Sequence, residues 1–233
     1  MIPLRDENPA STVPVVTRAL IVVNVGVFLY EVSLGQGLAA FVGDFGLVPL
    51  RLLESFQGAE NPLPVIGTIL SSTFLHGGWL HLIGNMWYLW IFGDNVEDRM
   101  GHVRYLVFYL AGGAAAGVLH TVMNAHSPLP TVGASGAIAA VLGAYLVLFP
   151  RARVVTLVPL FIVIQLMALP AVVVLGLWFV FQFFAGALSF GYAAGSAGGT
   201  AWWGHIGGFA FGMLLGRVLG SRTPGASRAW VER

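Results

Sequence analysis

The chain has 233 residues, 57% of them hydrophobic and only 9% charged, with a net charge of +1 and no cysteine; its mean hydropathy is +0.83. A soluble domain of this size cannot bury so much apolar surface, so the composition describes a polytopic membrane protein. The near-neutral charge and the lack of a basic run offer no case for nucleic acid, and the missing thiols exclude disulfides, thiolate metal sites and a cysteine nucleophile.

In chain order, residues 1–16 form a short polar tail, and residues 17–34 a first membrane helix with Arg18 at the headgroups. That segment comes late, is full length and lacks a small-residue cleavage site, so it reads as an anchor rather than a removable signal. Residues 35–72 make a long mixed loop, in which Leu47, Leu50, Leu53 and Phe56 have the spacing of a helix lying in the interface. A second span covers 74–92, and Asp94, Glu97, Asp98 and Arg99 mark the return to water. The third span, 103–123, is rich in Gly and Ala; the fourth covers 133–149. Residues 154–188 are too long for one crossing, since about 20 residues suffice. Pro170 divides them into a membrane-associated loop and a fifth span, 169–188. A small-residue loop at 192–200 precedes the sixth span, 201–219, and residues 220–233 form a polar tail.

Every basic residue is arginine, and their distribution sets the topology. With the N-terminus in the cytoplasm, Arg5, Arg18, Arg99, Arg104, Arg151, Arg153, Arg217, Arg222, Arg228 and Arg233 all fall inside, and Arg51 alone falls outside. The fourth and sixth spans then both begin at the outer surface. This brings Ser135 and His205 to a similar depth.

Ser135 lies in Gly133-Ala134-Ser135-Gly136, where the fourth helix begins and backbone NH groups have no intrahelical partner. His205 begins a helix whose glycines recur at 204, 208, 212, 216 and 220, a close-packing stripe. If that stripe faces Gly136, Ala140 and Gly143, the imidazole reaches the hydroxyl as general base and later protonates the leaving amine. His81 and Asn85 share one face of the second helix, with His76 just above. His81, Asn85 and the Ser135 backbone NH would be three donors for an oxyanion. The residues alone also allow blander readings: a Gly/Ser packing surface at 133–136, and polar bonding between helices at His205, His81 and Asn85. Metal binding at the histidines is the weaker alternative, because no His-Glu-x-x-His is present. No Asp or Glu occurs between Asp98 and Glu232, so the chemistry would be a Ser/His dyad rather than a triad.

Four patterns, His76 with His81-x-x-x-Asn85, Glu97-Asp98-Arg99-Met100-Gly101, Gly133-Ala134-Ser135-Gly136, and Gly204-His205 with its glycine stripe, together resemble the rhomboid intramembrane serine proteases in their six-helix bacterial form. The resemblance spans His76 to Gly212. It implies Ser135 as nucleophile, His205 as base, His81 and Asn85 at the oxyanion positions, and structural roles for His76 and for residues 97–101. It further implies that the long first loop lies partly in the outer leaflet and that the fifth helix with the loop after it gates substrate entry, with Trp178, Phe181 and Gln182 on that helix. One position departs from the pattern: some relatives carry an aromatic residue four after the serine, packed on the histidine ring, where this chain has Ala139.

The resulting expectation is an all-α membrane protein: a rhomboid-like six-helix bundle over residues 17–219, flanked by cytoplasmic tails at 1–16 and 220–233. It would cut peptide bonds in or near transmembrane helices of other membrane proteins, using no metal and no cofactor. Its partners would be those substrates and the lipid bilayer, not nucleic acid; the sequence sets no oligomeric state. Both termini would be cytoplasmic and the site extracytoplasmic, in a bacterial or archaeal plasma membrane, since no long N-terminal domain or transit peptide is seen. The alternatives are a rhomboid-like protein that binds membrane clients without cutting them, and a transporter, which would need an intramembrane charge or a repeat between halves.

Overall fold

The computed structural model describes residues 1–160, 163–189 and 201–220. The loop expected at 192–200 and the tail after Gly220 lie outside these. Six longer helices form the body: α1 Val15–Ser33, α5 Trp79–Met100, α6 His102–Met123, α7 Ser135–Leu148, α8 Ala171–Ser189 and α9 Trp202–Leu219. Three shorter ones, α2 Leu38–Phe45, α3 Pro49–Ser55 and α4 Pro62–Ser71, fold the first loop. Of the described helices, α1, α6 and α8 are long and apolar enough to cross a membrane. The other three fall short for visible reasons: α5 ends in a charged turn, α7 has 14 residues, and α9 is diluted by glycine, tryptophan and Arg217. Large apolar side chains such as Val22, Leu29, Leu177, Phe181, Phe184 and Leu214 stay exposed on the outer faces, a surface suited to lipid rather than water.

At the centre stands α7, with Ala137 through Tyr145 all buried. Its partner is α9, and glycine sets how near they come. A Cβ at Gly208 or Gly212 would overlap the carbonyl oxygen of Gly136 or Ala140, and one at Gly143 would overlap that of Phe209. The α9 stripe therefore does face α7, backbone against backbone. The turn from α5 to α6 is a single residue, Gly101, whose φ of 79° suits glycine.

The expectation of an all-α fold holds for most of the chain and fails at a small antiparallel sheet, β1 Ile2–Asp6, β2 Arg153–Leu160 and β3 Val163–Pro170, in that order. Residues 154–169 are apolar but β-branched, and burial alternates along β2, with Val154 and Thr156 buried between more exposed neighbours. Hydropathy alone cannot tell such a run from membrane-associated chain. The sheet also draws in the segment expected to be a tail. Asp6 accepts hydrogen bonds from Tyr145 Oη at 2.6 Å and Asn95 Nδ2 at 2.9 Å. Burial pushes this carboxyl up to about 6, against the lowering effect of the Tyr145 bond.

In the first loop, Asn61 caps α4 by accepting Leu63 N at 3.1 Å, with Pro62 in the first turn. The predicted interfacial helix is only partly present. Of its four residues, Leu47 is buried but precedes α3, where it pairs with Thr131, and Phe56 follows the helix and is exposed. Glu97 ties the far end of the bundle together: it is fully buried and accepts from Val16 N at 2.9 Å, Thr17 N at 2.8 Å and Thr17 Oγ1 at 2.7 Å. A carboxylate on α5 thereby caps the N-terminus of α1.

Candidate active site

Ser135 is the first residue of α7, half-buried at the helix N-terminus, where the first NH groups find no carbonyl in their own helix. The preceding loop is pinned by Gly133 N donating to Ser72 O at 2.9 Å and by the Leu47–Thr131 pair. Gly133 itself has a φ of 130°. A Cβ there would sit 2.6 Å from His81 Cε1 and 2.7 Å from Nε2, with Ser135 Oγ at 3.6 Å. Glycine is thus what lets the His81 ring lie against the loop beside the serine.

His205 occupies the first turn of α9, bracketed by Gly204 and Gly208, and Gly208 runs directly against the Gly136 backbone. Ser135, His205, His81 and Asn85 all line one open cavity of about 750 Å³ between α5, α7, α8 and the start of α9. Asn85 is 8% exposed and its Nδ2 has no hydrogen-bond partner, so two N–H donors remain for a ligand oxygen. A second, smaller cavity of about 40 Å³ also borders Ser135. Ser72, Thr73, His120 and Thr131 give it polar walls, and it is large enough to hold water.

The ring of His205 is held from α8. Its Nδ1 lies 2.7 Å from Gln182 Oε1, both side chains being buried. Trp178, one turn earlier on α8, packs on the ring at 5.9 Å between centroids and 36° between planes, and Trp202 meets it edge-on at 6.3 Å. The small residue at 139 is explained in the same way. Ala139 is fully buried and turned toward Gly208 on α9, so α7 has no room for a large ring there.

Other predicted positions take quieter places. His76 is buried, 6.5 Å from the Phe28 ring and 5.3 Å from that of His81, and neither ring nitrogen has a partner. Phe181 points outward and meets Trp202 edge-on. Two residues at this end escaped the sequence reading. Glu31, 1% exposed inside α1, accepts the His76 backbone NH at 3.1 Å; a carboxylate within an apolar span was the signal available for it. His120 exchanges a 2.9 Å hydrogen bond with Thr131 Oγ1 on the wall of the small cavity, and nothing in the pattern around it marks it out. Among the described residues, no group of three or more His, Asp and Glu side chains is arranged to hold a metal ion.

Comparison with known proteins places this geometry in context. The rhomboid domain family matches residues 65–222, which include every residue of the cavity wall. The rhomboid protease GluP of Bacillus subtilis is 31% identical over 186 residues, covering 78% of this chain and 32% of its own. RHOMBOID-like protein 4 of Arabidopsis thaliana is 29% identical over 88% of this chain and 52% of its own length. The mitochondrial presenilin-associated rhomboid-like protein A of Danio rerio is 32% identical over a shorter stretch, 35% of this chain and 22% of its own. The chain therefore spans between about a quarter and about a half of the length of these curated relatives.

Proposed function

This membrane chain belongs to the rhomboid family, and on that premise we propose that it is an intramembrane serine endopeptidase acting on transmembrane proteins. The observation that carries the proposal is the shared cavity, in which a serine at a helix N-terminus, a buried histidine and an unpartnered amide converge. Ser135 Oγ attacks the scissile carbonyl while His205 takes its proton, and the same histidine then protonates the leaving amine. The oxyanion draws on Asn85 Nδ2, the Ser135 backbone NH and His81. Water from the polar space beside Ser135 then attacks the acyl-enzyme, with His205 again as base.

In this reading, α1, α5, α6, α7, α8 and α9 are the six crossings of one protease domain over residues 17–219, between short terminal segments. The 14 residues of α7 span only about 21 Å at 1.5 Å per residue, less than the roughly 30 Å hydrocarbon core. Ser135 would thus be sunk below the bilayer surface and reached through the open cavity. A substrate helix would enter from the side between α5 and α8 and unwind locally, since a helical peptide bond is shielded; helix-weak residues lower that cost. Arg5, Arg18, Arg99, Arg104, Arg151, Arg153 and Arg217 belong to the end remote from Ser135, and this supports cytoplasmic termini and an extracytoplasmic site in a plasma membrane.

The test is fluorophosphonate labelling of purified protein in detergent, with cleavage of a generic transmembrane substrate in parallel. Labelling and cleavage that are present in the unaltered chain and vanish in Ser135→Ala and His205→Ala are the expected result. A folded, unaltered chain that neither labels nor cuts would overturn the protease reading in favour of client binding.

A further inference from the structure

We propose that Gln182 is a positioning residue for His205: its side-chain oxygen keeps the proton on Nδ1 and so presents a bare Nε2 to Ser135. The effect on rate rests on the protease reading above, whereas the effect on the ring does not. The bond is 2.7 Å long, between side chains that are 6% and 7% exposed. A carbonyl oxygen only accepts, so the ring nitrogen facing it must carry hydrogen. A neutral imidazole has one N–H, and placing it on Nδ1 leaves the Nε2 lone pair free to take a proton.

Three further observations support this role. Gln182 is the one amide-bearing or charged side chain in α8, an otherwise apolar helix. A polar group in such a setting is costly unless partnered, and its partner is His205. Trp178 covers the face of the ring from the same helix, so α8 fixes both its plane and its in-plane rotation while Ala139 on α7 contributes neither. Finally, the chain has no Asp or Glu from residue 99 to residue 231, leaving no nearby carboxylate in sequence for the task. The titratable groups that share the two cavities with His205 are His81 and Tyr88 on α5 and His120 on α6.

An amide differs from a carboxylate in a way that can be read out. It selects the tautomer but supplies no counter-charge to the imidazolium formed during acylation. The base therefore works with dipolar support alone, and exchanging the amide for a carboxylate should favour the protonated ring.

The experiment is ¹⁵N NMR of histidine-labelled full-length chain in detergent, with His205→Ala used to assign the His205 signals, beside the pH–rate profile of fluorophosphonate labelling. The unaltered chain should show His205 protonated at Nδ1. Gln182→Met, close in volume, should give a mixture of tautomers and label on the order of a hundredfold more slowly, with an unchanged melting temperature. Gln182→Glu should keep the Nδ1 tautomer and much of the rate, with the acidic limb of the profile, which follows deprotonation of the base, moved to higher pH. An Nε2-protonated ring in the unaltered chain overturns the proposal, as does a Gln182→Met chain with native tautomer and rate. If Gln182→Met does not fold, an unmoved profile in Gln182→Glu overturns it instead. Should the unaltered chain fail to label at all, the protease reading falls, and the tautomer comparison still decides the role of Gln182.

Discussion

The two ends of the bundle differ in what their polar side chains do. At the end carrying the sheet, the acidic groups are joined, although Asn8 Nδ2 and Tyr105 Oη there are buried without a partner. Glu97 caps α1 through three hydrogen bonds and also meets His102, Asp98 accepts from Ser11 and Thr12, and Asp6 joins Tyr145 to Asn95. At the end carrying Ser135, the Asn85 amide nitrogen and both ring nitrogens of His76 are buried without a partner, and a cavity opens beside them. A satisfied buried group contributes to stability, whereas an unsatisfied one costs roughly 1–3 kcal/mol. One end thus holds the helices together, and the other leaves donors unpaired beside an open cavity.

Substitutions that separate rate from stability test this contrast. The largest effect belongs to Ser135→Ala, which should lower substrate cleavage at least about 10⁴-fold while leaving the melting temperature in detergent unchanged. Retained cleavage would remove Ser135 from its proposed role. Next is Gly212→Ala, whose new methyl would run into the Ala140 carbonyl. Overpacking of this kind costs about 3 kcal/mol, to be seen as a lowered melting temperature; an unchanged one would mean that α7 and α9 are not in backbone contact.

Asn85→Ala removes a donor that has no structural partner. It should slow acylation on the order of tenfold to a hundredfold with no loss of stability, other donors remaining. Lost stability with an unchanged rate would make Asn85 a packing residue like those of the opposite end. The smallest effect is that of Asp6→Asn. The unfolded chain ionises Asp6 near 3.8 and the folded chain near 6, so within that window the folded state holds the extra proton. Stability from this group is complete below pH 3.8 and is lost as pH rises through 6. Asn at position 6 should remove about 1 kcal/mol of that slope, after allowance for partial exposure, as measured by thermal unfolding from pH 4 to 7.

Much of the site was legible because its signals are local. Gly133-Ala134-Ser135-Gly136 opens a helix, His81 and Asn85 are one turn apart, and the glycines of α9 recur every fourth residue, so helical geometry alone aligns each set. The sheet was not legible, because β2 and β3 are as apolar as a membrane segment and only their pairing, with each other and of β2 with the distant β1, distinguishes them. Glu97 could be recognised in a motif, but its bonds reach Val16 and Thr17.

Composition and residue spacing by themselves determined the membrane class, the close-packing face of α9 and the position of Ser135 at a helix start. These depend on the average solvent of a segment or on neighbours within a turn. Only the tertiary structure decided what holds His205. Gln182 and Trp178 meet the ring because of the rotation and depth of α8 against α9, and Ala139 is small because Gly208 lies against it. Rotation and depth are settled by packing between helices, and no spacing within a single helix encodes them.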